Sequence, residues 1–503
     1  MALAPYFSRI RDAVTGLATI QADELESLVG RTVVSVHLPS RAVDDPAWME
    51  GCLLVANLLA RLYPRLAFVG PATVTDAVAE TAMSVNPQIE VDIARRSSEA
   101  GPSIGFGVGK GDVCVTAKGW TASVDRKQVM APASSFATQI AACLAASELF
   151  RHVFASHLGS NGRHGQQPGQ FHLTSADVPS DLLHGFSLPS LHLAGAGAIG
   201  QACATALAAS GAVGHLTVVD HETIELSNLQ RYLLSDPTTI GHRKVEVVAG
   251  RMKEANWGTE PVFSRWGEDP RSGPGQAIVL VALDSASGRL GVAGGLHGKV
   301  YSAYTQPSDI GWSRHEAFGV EPCLACLYYP NRPRASDDEL IASALGIHRL
   351  RVLGYLAGNC PVGRPLQQVP QVADIAAPDE AVSWLAKPLS SDLVASGILQ
   401  PEEVVRWADR LIGDLYSEGI CGGAIFAPNA ERPSDVVVPA AHQSAFAGIM
   451  LAFKAIEGHV PELRAARSDA VEGRLDLLAG LPQVIDRPRS RTPGCICFDP
   501  DYL

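Results

Sequence analysis

Along the chain, short and nearly continuous apolar runs alternate with longer stretches whose apolar positions recur at helical spacing. In the first third, the apolar helix pattern CLLVANLLARLY leads into a run ending at Phe68-Val69-Gly70. IEVDI follows near residues 89–93, then DVCVTA around Cys114, then a long helix pattern from Ser134 to Phe154. Residues 157–188 are rich in Gly, Ser, Gln and His and lose the apolar period, which predicts a connection rather than an element. The pattern then restarts. SLPSLHLAGAGAIGQACATALAASG reads as strand, glycine loop and Ala-rich helix closing at Gly211. HLTVVD is a second strand ending in Asp220, and AIVLVALD, residues 277–284, a third ending in Asp284. Residues 333–420 read as several amphipathic helices with Pro-bearing connections, and a last long helix follows Pro439. Alternation of this kind predicts an α/β fold with largely parallel sheets: a Rossmann-like second half with a helical insert, preceded by another α/β half. There is no internal repeat of sequence, although two halves can share a fold without one.

Composition narrows the function classes. The 503 residues are 47% hydrophobic and only 18% charged, which excludes a mainly disordered chain. With 40 basic against 52 acidic side chains the net charge is −12, so a nucleic-acid partner is not expected. The N-terminus lacks the charged and apolar regions of a secretory signal, and no run is long and apolar enough for a membrane span. Ten cysteines are too sparse for a disulfide scaffold; they suit a reducing compartment, the cytoplasm, where close pairs suggest metal or catalysis.

Two glycine-rich segments differ in context. GFGVGKGD, Gly105 to Asp112, is not a P-loop: Gly111 stands where Ser or Thr must reach Mg²⁺, and the segment precedes a strand, so it reads as a turn. Gly195, Gly197 and Gly200 instead form G-x-G-x-x-G between a strand and a helix. There the glycines permit a tight turn, close approach of a phosphate and helix–strand packing, while the helix N-terminus offers unpaired N–H groups. Asp220 ends the next strand, placed for a ribose. This much suits a dinucleotide or ATP equally.

The residues after Asp220 discriminate between the two. Asn228, Arg231 and Lys244 crowd the phosphate end, and Asp284 sits at a later strand tip. A nicotinamide enzyme has no use for that set, whereas adenylyl transfer needs donors and a divalent metal for the charge on the α-phosphate and departing pyrophosphate. GAGAIG, VVDHETIELSNLQR, the Lys of GHRK, the Asp of VALDS, and PCLAC together resemble the adenylating domain of ubiquitin-activating enzymes. The wider superfamily includes the thiamine- and molybdopterin-pathway adenylyltransferases of the ThiF, MoeB and HesA type. The resemblance covers roughly residues 188–330. It implies that Asp220 binds the ATP ribose, that Asn228, Arg231 and Lys244 contact phosphates, and that Asp284 helps hold Mg²⁺. Glu222 stands where the family often has Asp.

Cys323-Leu-Ala-Cys326 is half of a tetrahedral thiolate zinc site, and Cys495-Ile-Cys497 is the candidate second half, although relatives more often show C-x-x-C there. Its expected role is structural, pinning the C-terminal tail. The resemblance further implies an acyl-accepting cysteine after the zinc pair. Cys421 in GICGGAIF is favoured over Cys360 in LAGNCPVGRP; Cys52, Cys114, Cys143 and Cys203 lie in apolar patterns and read as packing. The first half resembles a degenerate, inactive copy, so the chain would be an intramolecular pseudo-dimer, with homodimerisation left open. Arg9 is placed like the family's N-terminal Arg that crosses to the ATP phosphates, with Arg11 as fallback.

The expected domains are an inactive copy over 1–160, a linker over 161–188, an active adenylating domain over 189–332, a helical cysteine-bearing subdomain over 333–435, and a returning adenylating segment over 436–503. The expected function is ATP-dependent activation of a ubiquitin-like protein, with thioester transfer and hand-over to a conjugating-enzyme-like acceptor, in a bacterial member of the family. The alternatives are an adenylyltransferase that stops at the acyl-adenylate of a sulfur carrier or peptide, a nicotinamide oxidoreductase, and a catalytically dead scaffold.

Overall fold

The computed structural model describes residues 4–7, 10–11, 13–14, 18, 20–93, 101–125, 131–158, 168–306, 309–328, 337–366, 383, 385–416, 439–478 and 485–500. Contacts divide the chain into two units, Met1–Tyr329 with Pro439–Leu503, and Pro330–Val438.

The first unit contains two sheets. Helix α1 (Ala22–Arg31) precedes β1 (Val34–His37), α2 (Pro46–Leu62), β2 (Arg65–Val69), α3 (Ala72–Val85), β3 (Glu90–Ile93), β4 (Ser103–Phe106), β5 (Val113–Lys118), β6 (Thr121–Val124), α4 (Ser135–Val153) and β7 (Gly169–His172). The second series is β8 (Leu191–Ala194), α5 (Ala198–Ala209), β9 (His215–Val219), α6 (Lys244–Glu254), β10 (Gly258–Val262), β11 (Ile278–Val281), α7 (Ala286–Ala293), β12 (Lys299–Thr305), β13 (Ile310–His315), α8 (Leu324–Tyr328), α9 (Ala441–Glu457), β14 (Glu472–Leu475) and β15 (Ile485–Arg487).

The strand orders are β3-β2-β1-β4-β5-β6-β7 and β10-β9-β8-β11-β12-β13-β14-β15. In each, the first five strands are parallel and the later ones antiparallel, so seven positions match one for one. Parallel strands covered on both faces are buried along their length: IVLV of β11 is apolar throughout, and VSVH of β1 is fully buried with Ser35 and His37 alternating with its valines. Helices α4 and α9 occupy corresponding places, each between the sixth and seventh strands of its sheet, and they pack on each other at the centre of one shared core. Phe136 of α4 meets Phe453 of α9 edge-on at 5.6 Å, and Phe150 meets His442 at 6.1 Å, so the two helices run antiparallel. This central position buries α4 on every side from Ser135 to Arg151.

One expectation is corrected. Strand β7 lies inside the 161–188 stretch read as linker and pairs antiparallel with β6. Its alternation rests on a single buried side chain, Phe171, packed edge-on against Phe446 and Trp312, with polar neighbours facing out. One apolar residue among polar ones gives no readable period.

The second unit has its own core, in which Ile341, Leu345, Val352, Tyr355, Leu389, Leu393 and Trp407 are buried together. Helices Asp337–Leu345, Arg349–Ala357 and Leu389–Ala395 surround it. Arg351 pairs with Asp392 at 2.7 Å. No helix among the described residues is long and apolar enough to cross a membrane.

Candidate active site

The glycine loop joins β8 to α5. Gly195 has φ +97, and a Cβ there would lie 2.9 Å from the Ala282 carbonyl oxygen. A Cβ at Gly200 would overlap the Gly195 carbonyl oxygen, so this glycine brings helix and strand together. Gly197 is different. Its backbone is extended, and a Cβ would meet only the Tyr232 hydroxyl, at an ordinary 3.4 Å. The fold therefore demands glycine at two positions, and the third is a cradle that a Cβ would begin to fill. Gly197 is also the N-cap of α5 and supplies no side-chain cap, leaving the first-turn N–H groups and the positive helix end to an anion.

Asp220 follows β9, its carboxylate accepting from the Ala196 N–H at 2.7 Å and the Glu222 N–H at 2.9 Å, which ties it to the glycine loop. Burial pushes Asp220 up, and the Lys244 charge works against that shift. Lys244 is the first residue of α6 and is buried. Its ammonium bonds the Glu222 carboxylate and lies 3.0 Å from the Tyr232 hydroxyl. Burial alone would lower Lys244, but Tyr232, Glu222 and Asp220 outweigh it and hold it above the usual lysine range. Glu222 thus faces Lys244, and its pKa falls because Lys244 overcomes the effect of burial.

Between these groups runs the loop with Asn228 and Arg231. A 3-10 turn, Leu226–Gln230, opens with a capping box in which Asn228 Oδ1 accepts from the Glu225 N–H at 3.0 Å. The half-buried Arg231 guanidinium has no hydrogen-bond or ion-pair partner among the described residues. Gln201 of α5 braces the loop, its Oε1 accepting from Leu234 N–H at 3.0 Å and from the Ser235 hydroxyl at 3.1 Å. Asp284 is exposed just beyond β11, and Ser285 after it caps α7 by accepting from Gly288 N–H at 3.1 Å. Because Ala194 is paired beside Val281, both strand tips open at the same edge. An uncapped helix end, an unpaired Arg231, a buried Lys244 and an exposed carboxylate at Asp284 suit a phosphate chain with a divalent cation. Tyr232 and Gln201 escaped the sequence pattern; the signal for Tyr232 was only its place next to Arg231.

The four zinc-pattern cysteines come together. Their Sγ atoms all lie within 4.8 Å of one another, with Cys323 and Cys495 at 3.5 Å and Cys326 and Cys497 at 3.3 Å. The C-x-C spacing works because Cys495 is extended and Ile496–Phe498 turns as a 3-10 helix, which swings Cys497 to the same side without a left-handed residue. Thr492 N–H donates to Cys326 Sγ at 3.4 Å.

Arg9 and Cys421 lie outside the described residues, while Arg11 is half-buried. Cys360 belongs to the second unit, where its Sγ faces the carbonyl oxygens of Pro361 and Arg364, each at 3.7 Å. Burial raises the Cys360 thiol, with Arg364 pulling the other way. Cys52, Cys114, Cys143 and Cys203 are buried, and burial pushes the Cys52, Cys143 and Cys203 thiols up, as packing residues require.

Residues 172–347 match the ThiF family. Over its whole length the chain is 30% identical to the uncharacterized protein y4jF of Sinorhizobium fredii, covering 96% of that protein. A stretch making up 19% of the chain is 35% identical to the molybdopterin-synthase adenylyltransferase of Salmonella typhimurium, covering 39% of that enzyme. Among solved structures, E. coli MccB + ATP is similar at 20% identity and a TM-score of 0.25, over 29% of this chain and 46% of that one. The chain thus spans nearly all of y4jF and under half of the other two. It belongs to the ThiF family, whose domain occupies residues 172–347.

Proposed function

We propose that the protein uses Mg·ATP to adenylate the C-terminal carboxylate of a ubiquitin-like protein, then takes the acyl group onto a cysteine and passes it to a conjugating-enzyme-like acceptor. The observation that carries the adenylation step is the cradle at Gly197, where the fold itself imposes no glycine, together with Arg231, whose guanidinium has no partner among the described residues. Asp220 would receive the ribose, and the α5 N-terminus, Arg231, Lys244 and Asn228 the phosphates. A carboxylate oxygen of the modifier attacks the α-phosphorus, the α–β phosphoanhydride bond breaks, and pyrophosphate leaves. Positioned donors stabilise the charge that builds on the phosphates. Asp284 would hold a divalent cation, which when bound neutralises phosphate charge. The four thiolates would hold a structural zinc that ties the C-terminal tail to the segment after β13. Arg9, with Arg11 as fallback, would add a cation at the phosphates from the first half.

In the second step a thiolate attacks the acyl carbon and AMP leaves. Cys421 is assigned this role over Cys360, because the carbonyl oxygens around Cys360 and its burial disfavour a thiolate. The setting proposed is the bacterial cytoplasm. A second reading, in which the enzyme stops at the acyl-adenylate of a sulfur carrier or peptide, draws support from a relative named as a molybdopterin-synthase adenylyltransferase.

The test is an intact-mass comparison under denaturing, non-reducing conditions. Wild type, Cys421→Ala and Cys360→Ala are incubated with Mg·ATP and a small β-grasp protein encoded beside the gene. A thiol-labile adduct of one modifier mass, lost only in Cys421→Ala, is the expected result. Pyrophosphate exchange without any adduct would establish the second reading, and absence of exchange with any carboxylate substrate would sink both.

A further inference from the structure

Beyond Glu50 near its start, helix α2 of the first half is apolar except for two residues on one face, Asn57 and Arg61, four apart. Arg61 is 2% exposed, and no carboxylate lies within ion-pair distance of it among the described residues. A buried guanidinium is costly unless its donors are met, and here they are met by oxygens of the other half. Arg61 donates to the Leu229 carbonyl and, at 2.8 Å, to the Tyr232 carbonyl. Its Nε and Nη2 also donate to Asn57 Oδ1 at 3.0 and 2.9 Å, while Asn57 Nδ2 donates to the Leu233 carbonyl at 3.1 Å. Leu229, Tyr232 and Leu233 flank Arg231 on both sides. The backbone frame of Arg231 is therefore held from across the interface, while its own side chain has no partner among the described residues.

We infer that Arg61, aligned by Asn57, is a positioning residue: the first half, which carries no glycine loop, uses it to hold Arg231 in register for the nucleotide. An apolar side chain would serve the packing of α2 as well, so burial alone gives no reason for the charge. A planar fork meets two carbonyls and the Asn57 oxygen together, which an ammonium cannot do in one fixed geometry. Gln201 of α5 grips the same loop at Leu234 and Ser235, so the two grips bracket it from both halves. The inference rests on adenylation being the reaction of the second half.

The test is a double-mutant cycle on the full chain with Arg61→Lys and Arg231→Ala, read as ATP–pyrophosphate exchange and as equilibrium binding of Mg·ATP. Arg61→Lys is expected to lower kcat/KM for ATP at least tenfold in the wild-type background, and to have less than a twofold further effect once Arg231 is Ala. Full additivity of the two changes would overturn the inference, because a merely stabilising Arg61 acts equally in both backgrounds. Should Arg61→Lys fail to fold, Asn57→Ala takes its place in the same cycle, with an expected loss of threefold or more and the same non-additivity. The adenylation reading fails separately: wild type that neither binds Mg·ATP nor exchanges pyrophosphate removes that reading and the inference with it. Wild type that exchanges normally, with additive variants, removes the inference alone.

Discussion

The two halves of the first unit present the same structural position, the N-terminus of the helix after the first strand, in opposite chemical states. In the second half α5 begins at Gly197 with no side-chain cap. In the first half α2 begins after Asp45, whose carboxylate accepts from the Ala47 and Trp48 N–H groups at 3.1 and 3.4 Å. The anion that α5 leaves room for is supplied to α2 by the chain itself. Asp45 is held in turn by Arg41 at 2.8 Å, and a 3-10 turn over Ser40–Val43 fills the place of a glycine loop. The difference continues along the sheet. Strands β11 and β12 are joined through α7, which follows Asp284, whereas β4 and β5 are parallel neighbours joined only by residues 107–112. Gly107 at φ +67 and Gly111 at φ +149 make that short return feasible, which is the role of the glycine-rich segment that mimics a P-loop. One topology thus serves as an open anion site in one half and a closed support in the other, where a capping carboxylate, a turn in place of the glycine loop and a shortened crossover act together.

The largest effect should come from giving the active half the cap of its counterpart. Gly197→Asp places a carboxylate at the α5 N-cap, where the backbone is already extended and a Cβ fits. Exchanging Gly for Asp at an N-cap changes stability by only about a few tenths of a kcal/mol. Pyrophosphate exchange should nevertheless fall about a thousandfold, as expected when transition-state charge meets a like charge instead of donors. Gly200→Ala is the contrasting control. Its Cβ collides with backbone, so melting temperature and exchange should fall together. A Gly197→Asp enzyme that keeps normal exchange would show that phosphates do not use this helix end.

The pattern of apolar runs was enough to place β2, β3 and β5 of the first sheet and β8, β9 and β11 of the second, the glycine loop, Asp220, and the helices that became α4 and α9, because each carries its period or its glycines locally. What it could not place depends on contacts between distant segments. The four-cysteine cluster was suggested by spacing, but whether C-x-C could close it depended on a 3-10 turn at Ile496–Phe498. Strand β7 was hidden because only Phe171 is buried. Asn57 and Arg61 were in plain view as polar residues four apart in an apolar helix pattern. Their partners are carbonyls some 170 residues away, separations of 168 and 171 for Arg61, and backbone acceptors leave no trace in residue identity.

A middle-sized effect separates the halves at their far ends. The second sheet continues past its seventh strand to β15 and a tail gathered by Cys323, Cys326, Cys495 and Cys497, and the first sheet ends at β7. Purified protein should contain one zinc per chain by elemental mass spectrometry, and Cys497→Ser should lose it. The destabilisation should be on the order of 3 kcal/mol, as for loss of a structural metal. Metal-free wild type with an unchanged melting temperature would mean that the four thiols act as packing alone.

The smallest effect tests the closed half. Asp45→Ala removes the α2 cap and should cost about 1 kcal/mol of stability, measured by denaturant unfolding. Pyrophosphate exchange should keep its KM for ATP, because Asp45 caps α2 near its start while the grip on the Arg231 loop lies at Asn57 and Arg61, three turns further along the same helix. Equilibrium dialysis should still count one ATP per chain. The Ser40–Val43 turn continues to occupy the loop position, and the β4–β5 return has no helix to follow an acid like Asp284. A second bound ATP in Asp45→Ala would mean that one carboxylate is all that closes the first half, and that the shortened crossover plays no part in silencing it.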